Sequence, residues 1–152
     1  MHRWLLSNRS IRQVVALDDE GRLRCRSLSD RAGGREWIHP TLPSDEFLVE
    51  LSGLAPAAAP TATAEGAGAL PRVTLVGDSG WRLVDATRST AKGWKLLEVG
   101  LASRTHPVGV RRTWAVHRTL PVVRQWTTVS NTGRAGLKLH RIDSFRLRLA
   151  PV

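Results

Sequence analysis

The sequence predicts an all-β fold, an antiparallel β-sandwich, on two observations. Apolar and polar residues alternate with a period of two through most of the chain, and no window has the 3.6-residue period of an amphipathic helix. Turn-forming Gly, Pro, Asn and Asp separate about eight to ten of these runs, a spacing typical of a sandwich. The chain has 152 residues, 41% of them hydrophobic, which is enough for one domain with its own core over residues 1–152.

The first half predicts a hairpin followed by a short strand. Ile11–Leu17 and residues 22–28 have the alternation of strands, and the acidic run before Gly21 supplies the turn between them. Residues 29–35 form a second predicted turn, with a Gly-Gly pair for positive φ. A short strand follows at 47–51.

The second half begins with a low-complexity segment, residues 54–70, rich in Ala, Pro, Thr and Gly. It has too few large apolar groups to bury, so it predicts a surface loop. Strands are expected after it, and the last three of them are expected to form a meander. The predicted strands are 72–76, 81–84, 94–101, 108–118, 122–129 and 137–149.

The last predicted strand alternates strictly. Leu137, Leu139, Phe145, Leu147 and Leu149 are expected on one face, with basic residues opposite. The chain stops directly after this strand, so the apolar face has no covering layer in the sequence. We therefore expect an incomplete sandwich with an open strand edge, which favours homo-oligomers or aggregates.

The net charge is +10, and arginine supplies 20 of the 23 basic residues. Such a charge makes nucleic acid a partner to consider. The arginines are spread from Arg3 to Arg148 with no basic tract, which favours a solvated basic surface over a nucleic-acid site. A basic module for nucleic acid or another polyanion stays open as the alternative.

Composition also bounds compartment and cofactors. The single cysteine, Cys25, excludes an internal disulfide and a cysteine-based zinc site. No cleavable signal and no apolar stretch of membrane-spanning length are present, so a cytoplasmic chain without membrane contact is expected. The five histidines lack metal-ligand spacing and no nucleotide-binding glycine motif occurs, so no metal and no cofactor are predicted.

The carboxylates predict no catalysis. Asp18, Asp19 and Glu20 fall in a hairpin turn, and Asp45 and Glu46 precede a strand. Glycosidase chemistry needs two carboxylates facing each other across the substrate, whereas acids in turns are there for turn geometry. We predict no catalytic residue and no enzymatic activity of the chain on its own.

Six tryptophans in a chain without tyrosine are the unusual feature. Trp81, Trp94, Trp114 and Trp126 lie in or beside predicted strands and are expected in the core. Trp37 lies in a proline-rich loop with His39, where an aromatic face is available to a sugar ring. Trp37 and His39 are therefore the candidate carbohydrate-binding residues, with core packing of Trp37 as the alternative.

The run from Pro121 to Ser144 resembles a known family. "P-V-V-R-Q-W" into "N-T-G", then a strand reaching "D-S" at Asp143 and Ser144, is similar to the N-terminal domain of family 36 glycoside hydrolases, the α-galactosidase group. Upstream, "N-R-S-I-R" from Asn8 and "S-D-E-F" from Ser44 occur in the same order.

This resemblance implies a β-supersandwich of the galactose-mutarotase-like type that packs on a following (β/α)8 barrel. The barrel carries the catalytic aspartates in that family, and nothing here resembles it, so no catalytic residue transfers. The implied function is that of a non-catalytic domain supporting a barrel and contacting carbohydrate. In some members loops of this domain shape a neighbouring active site, and the corresponding place here is the loop 37–43.

Overall fold

The computed structural model describes residues 1–39, 41–42, 44–53 and 72–150. These residues form ten antiparallel strands in three sheets and no helix, which confirms the all-β sandwich class. The predicted loop 54–70 lies outside the described residues. No helix of the described part is long and apolar enough to cross a membrane.

The first sheet contains three strands in the order β1-β2-β3. They are β1 (His2–Ser7), β2 (Ile11–Leu17) and β3 (Leu23–Asp30). The predicted hairpin of β2 and β3 is confirmed, and Gly21 in its turn has a φ of 82°. β1, which is not predicted from the sequence, pairs antiparallel with β2 and buries Trp4 and Leu6.

The second sheet contains four sequential strands in the order β6-β7-β8-β9. They are β6 (Trp81–Ala91), β7 (Trp94–Ser103), β8 (Val108–His117) and β9 (Val123–Asn131). β6 is longer than the predicted 81–84, because a tight turn through Lys92 and Gly93, both at positive φ, closes a long hairpin with β7. Most of β6 is exposed, which leaves this edge of the sheet in solvent.

The third sheet has the order β10-β4-β5, from β4 (Glu46–Ser52), β5 (Val73–Val76) and β10 (Lys138–Arg146). The predicted meander is therefore wrong in its last step, since β10 pairs with β4 and not with β9. A turn signal indicates where the chain reverses but not which strand it will meet. β4 offers the buried Val49 and Leu51 opposite Ile142 and Leu139.

The prediction of strict alternation along the last strand is also wrong. The register of β10 against β4 shifts between Leu139 and Arg141 and again between Asp143 and Arg146. Each shift moves the following side chains relative to the face that simple alternation gives them. Leu147 is half-buried, whereas Phe145 and Leu149 are 58% and 62% exposed.

One main core lies among the three sheets. It is built from the inward positions of strands from all of them, with Trp81 and Trp114 as its largest apolar side chains. The Trp81 indole N–H donates to the Val76 carbonyl (2.8 Å), so its polar atom is satisfied inside the core. A smaller cluster of Ile11, Cys25, Leu28 and Ile38 lies beneath the segment after β3.

Candidate functional site

The segment that carries Trp37 and His39 is fixed by the end of the chain. His39 N–H donates to the Arg148 carbonyl (2.8 Å), and Ala150 N–H donates to the Trp37 carbonyl (2.8 Å). Ile38 is buried in the smaller cluster, and Trp37 is half-buried against that cluster. Trp37 therefore combines the two roles that the sequence left open, packing on one side and exposure on the other.

The side chain of His39 accepts hydrogen bonds from the backbone of its own turn. Its Nδ1 accepts the backbone N–H groups of Thr41 (3.3 Å) and Leu42 (3.1 Å). The cavity beside it measures about 70 Å³, below the ~300–1,000 Å³ typical of small-molecule pockets. Carbohydrate binding by Trp37 and His39 stays a prediction.

The tryptophans do not all lie in the core. Trp81 and Trp114 are buried as predicted, but Trp126 is 41% exposed and Trp94 is half-buried. Trp126 lies opposite Thr113 on the outer face of the four-stranded sheet. The guanidinium of Arg124 lies 4.5 Å from the centre of the Trp94 ring, so that ring already has a cationic partner.

A fully buried ion pair joins two sheets. Arg112 of β8 donates from Nη2 to Glu46 Oε2 (3.2 Å), and both side chains are 0% exposed. Trp114 Nε1 donates to the same oxygen (3.2 Å), and Ser44 Oγ donates to Oε1 (3.4 Å). The carboxylate thus meets three donors from its own segment and from β8.

Arg112 reaches further partners with its other hydrogens. Nη1 donates to Thr127 Oγ1 (2.9 Å) on β9 and to the Ser144 carbonyl (2.8 Å) on β10, and Nη2 donates to Gln125 Oε1 (2.6 Å). The guanidinium carbon lies 5.0 Å from the centre of the Trp114 ring. One side chain therefore links β8, β9, β10 and the start of β4.

The backbone at Glu46 adopts a conformation that few residues with a side chain tolerate. Its φ is 60°, and Phe47 N–H donates to the Asp45 carbonyl (2.6 Å) across it, which closes a three-residue turn. Such a conformation costs about 1–3 kcal/mol and persists only where surrounding contacts enforce it. The ion pair and the Trp114 hydrogen bond are the contacts that hold Glu46 there.

Burial dominates the electrostatics of this cluster. Desolvation raises the pKa of Glu46, against the opposing charge and hydrogen bond of Arg112, and desolvation likewise lowers the pKa of Arg112. Arg112 Nε and Gln125 Nε2 have no hydrogen-bond partner among the described residues. A carboxylate with no exposed surface does not reach a substrate, so we interpret this cluster as a clasp between sheets.

The other candidate groups do not belong to this cluster. Asp18 accepts hydrogen bonds from the backbone (2.8 Å) and side chain (2.6 Å) of Arg22, as expected for a turn acid. Burial raises the pKa of the Cys25 thiol, which keeps it protonated and unreactive. The described residues contain no group of three or more His, Cys, Asp or Glu side chains arranged to hold a metal.

Two adjacent grooves flank the end of β1, and we call them together the basic cleft. One measures about 510 Å³ and is lined by Arg12 and Arg31. The other measures about 330 Å³ and is lined by Arg88 and Lys95. Leu5 and Ser7 of β1 line both grooves.

A second surface feature is apolar. Four side chains on β10 and just after it are between 38% and 62% exposed, and we call them the β10 strip: Leu139, Ile142, Phe145 and Leu149. Ile142 and Leu139 lie opposite core residues of β4, so they continue the core face beyond the part that the other sheets cover. β10 meets β9 through side chains, with Thr127 N–H donating to Ser144 Oγ (3.1 Å).

The sequence held one signal for the clasp. Arg112 has the same parity as Val108, Val110, Trp114 and Val116, which all enter the core, so alternation places its guanidinium inside. A buried arginine requires a buried acid. Nothing local identified Glu46 as that acid, because it is 66 residues away in the chain.

The sequence held no such signal for the basic cleft, because its four cations come from β2, the turn after β3, β6 and β7.

Comparison of the chain with protein-family models, with curated proteins and with solved structures finds no match.

Proposed function

We propose that the chain is a non-catalytic β-sandwich domain that supports a (β/α)8 domain of an α-galactosidase-like glycoside hydrolase and contacts it through the β10 strip. The observation that carries this proposal is the strip itself. Phe145 and Leu149 are more than half exposed, and exposed apolar side chains grouped on one element are typical of interaction sites.

Two further points support the proposal. The residues from Pro121 to Ser144, which carry the resemblance to family 36 glycoside hydrolases, include both β9 and most of β10. Glu46, a carboxylate whose pKa is raised by burial, is fully enclosed, so its environment favours a structural role over catalysis. Contact with carbohydrate through Trp37 and His39, and a cytoplasmic location, belong to the same proposal.

The test is to co-express the chain with a (β/α)8 protein encoded beside it and to measure hydrogen–deuterium exchange. We expect slower exchange over 138–149 in the complex than in the chain alone, and unchanged exchange over β6, which is also exposed. Phe145→Ser should weaken the complex. The absence of an encoded barrel, or exchange over 138–149 that does not change, would count against the proposal.

The non-catalytic part has its own test. The purified chain should not hydrolyse aryl α-galactosides, because glycosidase chemistry requires two opposed, accessible carboxylates. Turnover that survives purification and disappears when a carboxylate of this chain is replaced would contradict it.

A second candidate function is binding of nucleic acid or another polyanion. The observation that favours it is the basic cleft, in which tertiary structure gathers cations that are far apart in the sequence. Binding of this kind is electrostatic, so it should weaken steeply with added salt.

A further inference from the structure

The ion pairs of the chain leave the cleft positively charged. Six arginines lie within 4.0 Å of carboxylates: Arg22, Arg24, Arg111, Arg112, Arg141 and Arg146. Within the described part of the chain, none of the four cations of the basic cleft has such a partner. The four cations of the cleft therefore keep their positive charge for a ligand.

Among the described residues that line the cleft there is one acid, and its carboxylate is hydrogen-bonded within its own turn. Asp30 lines the larger groove, and its two carboxylate oxygens accept the backbone N–H groups of Ala32 (2.9 Å) and Gly33 (3.1 Å). Those hydrogen bonds point the carboxylate into its own turn. Because Arg12 and Arg31 outnumber this one carboxylate, the groove keeps a net positive charge.

Leu5 and Ser7 of β1, which line both grooves, form a ridge between them. Two of the cations also hold the backbone at this ridge in place. Arg31 Nη1 donates to the Asn8 carbonyl (2.8 Å), and Lys95 Nζ donates to the Ser7 carbonyl (2.8 Å). The Asn8 side chain in turn donates to the carbonyls of His117 and Leu120 (2.7 Å each). The ridge is thus held in place before any ligand arrives, which lowers the entropic cost of binding.

The remaining lining fits a phosphate backbone. Ser7 and Ser29 lie on either side of Arg12 in the paired strands, and Ser89 and Thr90 line the second groove. Lys95 pairs with Thr90 and is diagonal to Arg88, a separation of about 7–8 Å. Hydroxyl donors interleaved with guanidinium groups are suited to phosphate oxygens.

We propose that the basic cleft binds single-stranded nucleic acid, with its phosphates on Arg12 and Arg31 in one groove and on Arg88 and Lys95 in the other. This rests on the second candidate function. Arginine forks match phosphate geometry, and three of the four cations are arginines. A flexible strand can follow two grooves over the ridge of Leu5 and Ser7, whereas a stiff duplex presents its backbone to one side of the ridge only.

Leu5 adds an apolar contact at the centre. Its side chain is 46% exposed between the grooves, where it can receive the face of a sugar or base. Contacts to phosphate carry no sequence information, so binding through these cations should be independent of sequence.

The experiment uses fluorescence anisotropy of a labelled oligothymidylate of about 20 nucleotides, longer than the ~4–16 nucleotides of a typical single-strand site. The test variant is Arg12→Gln with Arg88→Gln, because both side chains are exposed and make no hydrogen bond within the described residues. The matched control is Arg82→Gln with Arg134→Gln, which removes the same charge from exposed positions outside the cleft. Titrations run from about 50 to about 200 mM salt.

We expect the cleft variant to bind several-fold more weakly at low salt and the control variant to bind like the wild type. The slope of log affinity against log salt should fall by about 1.4 in the cleft variant, or ~0.7 for each lost phosphate contact. Unfolding curves of both variants check that the fold is intact.

Each other outcome contradicts a defined part. If the wild type binds no oligonucleotide, the second candidate function fails. If it binds and both variants weaken equally, that function survives but the cleft is not the site. Duplex bound as tightly as the single strand contradicts the choice of ligand, and so does a sulfated polysaccharide bound in preference to it.

Discussion

Arg112 joins sheets because its guanidinium donates to groups on several strands at once. Its partners include the Glu46 carboxylate, the Thr127 hydroxyl and the Ser144 carbonyl. Burying two charges costs several kcal/mol each, and this cost is offset only where both are paired and hydrogen-bonded. The clasp therefore contributes most to stability when it is complete, and each partner makes the other tolerable.

Removing one partner of the clasp should lower the free energy of unfolding far more than removing both. Arg112→Met leaves the Glu46 carboxylate buried with fewer donors, and we expect a loss of about 3–5 kcal/mol in the free energy of unfolding at neutral pH. Adding Glu46→Gln should recover a large part of that loss. The measurement is urea unfolding followed by tryptophan fluorescence.

Arg111→Met is the matched control. It is the adjacent residue, with an exposed partner in Asp85, so its loss should be no more than about 1 kcal/mol. Equal losses from Arg112→Met and Arg111→Met would show that the buried pair has no special role.

The raised pKa of Glu46 makes the clasp sensitive to pH. Because burial raises this pKa above its ordinary value of 4.5, between pH 4.5 and the raised value the folded chain holds a proton that the unfolded chain has released. The resulting stabilisation is complete below 4.5 and is lost as the pH rises from there towards the raised value. Glu46→Gln has no such proton. The free energy of unfolding of the wild type minus that of Glu46→Gln should therefore decrease with rising pH.

Urea unfolding of the wild type and Glu46→Gln at several pH values from about 4 to about 8 measures this difference. Glu20→Gln, a change in the exposed turn after β2, controls for the loss of one negative charge. A difference that grows with rising pH would mean that Arg112 lowers the pKa of Glu46 by more than burial raises it.

At the level of elements, three segments meet at Gly77. Its N–H donates to the Asp45 carbonyl (2.8 Å), and its carbonyl accepts the N–H of Leu23 (2.9 Å). A Cβ at this position would lie 2.3 Å from the Asp45 oxygen and 2.6 Å from the Leu23 oxygen. The starts of β3 and β4 therefore approach the end of β5 only because residue 77 has no side chain.

Gly77→Ala should separate these segments and cost about 1–3 kcal/mol of stability. The control is Gly136→Ala, since a Cβ there meets no atom within 4 Å, and it should change stability by no more than about 0.5 kcal/mol. Thermal unfolding by circular dichroism compares the two. Equal midpoints would show that the backbone at Gly77 gives way without cost.

For the whole molecule, charge and apolar surface act in opposite directions. A net charge of +10 disfavours association, but that repulsion is screened beyond about 8–10 Å at ordinary salt. The β10 strip favours association, and β10 has β4 as its only ladder partner within the described part of the chain. At short range we expect the attraction between apolar β10 strips to exceed the charge repulsion.

We therefore expect the isolated chain to form dimers or larger species that dissociate on dilution. Size-exclusion chromatography with light scattering across a dilution series measures this. Leu139→Thr with Phe145→Ser should shift the chain towards monomer, whereas Leu5→Ser, at an exposed site away from the strip, should not. A monomer at every concentration that also unfolds cooperatively would show that the strip needs no cover.

The order and type of most strands could be predicted from the sequence because alternation is a local property. Ile11–Leu17, the turn at Gly21 and the strands from Trp94 to Asn131 agree closely with the structure. Pairing is not local, so the partner of β10 was predicted incorrectly. The exposure of Trp126 was missed for the same reason, because alternation separates two faces without saying which is covered.

The sequence by itself determined the all-β class, the approximate boundaries of most strands, the net positive charge and the side of β8 that bears Arg112. Only the tertiary structure decided what each of these meets. It brought Glu46 to Arg112 across 66 residues, moved β10 to β4, and gathered Arg12, Arg31, Arg88 and Lys95 into one cleft. The physical reason is that alternation depends on neighbours along the chain, whereas ion pairs, sheet partners and surface fields depend on neighbours in space.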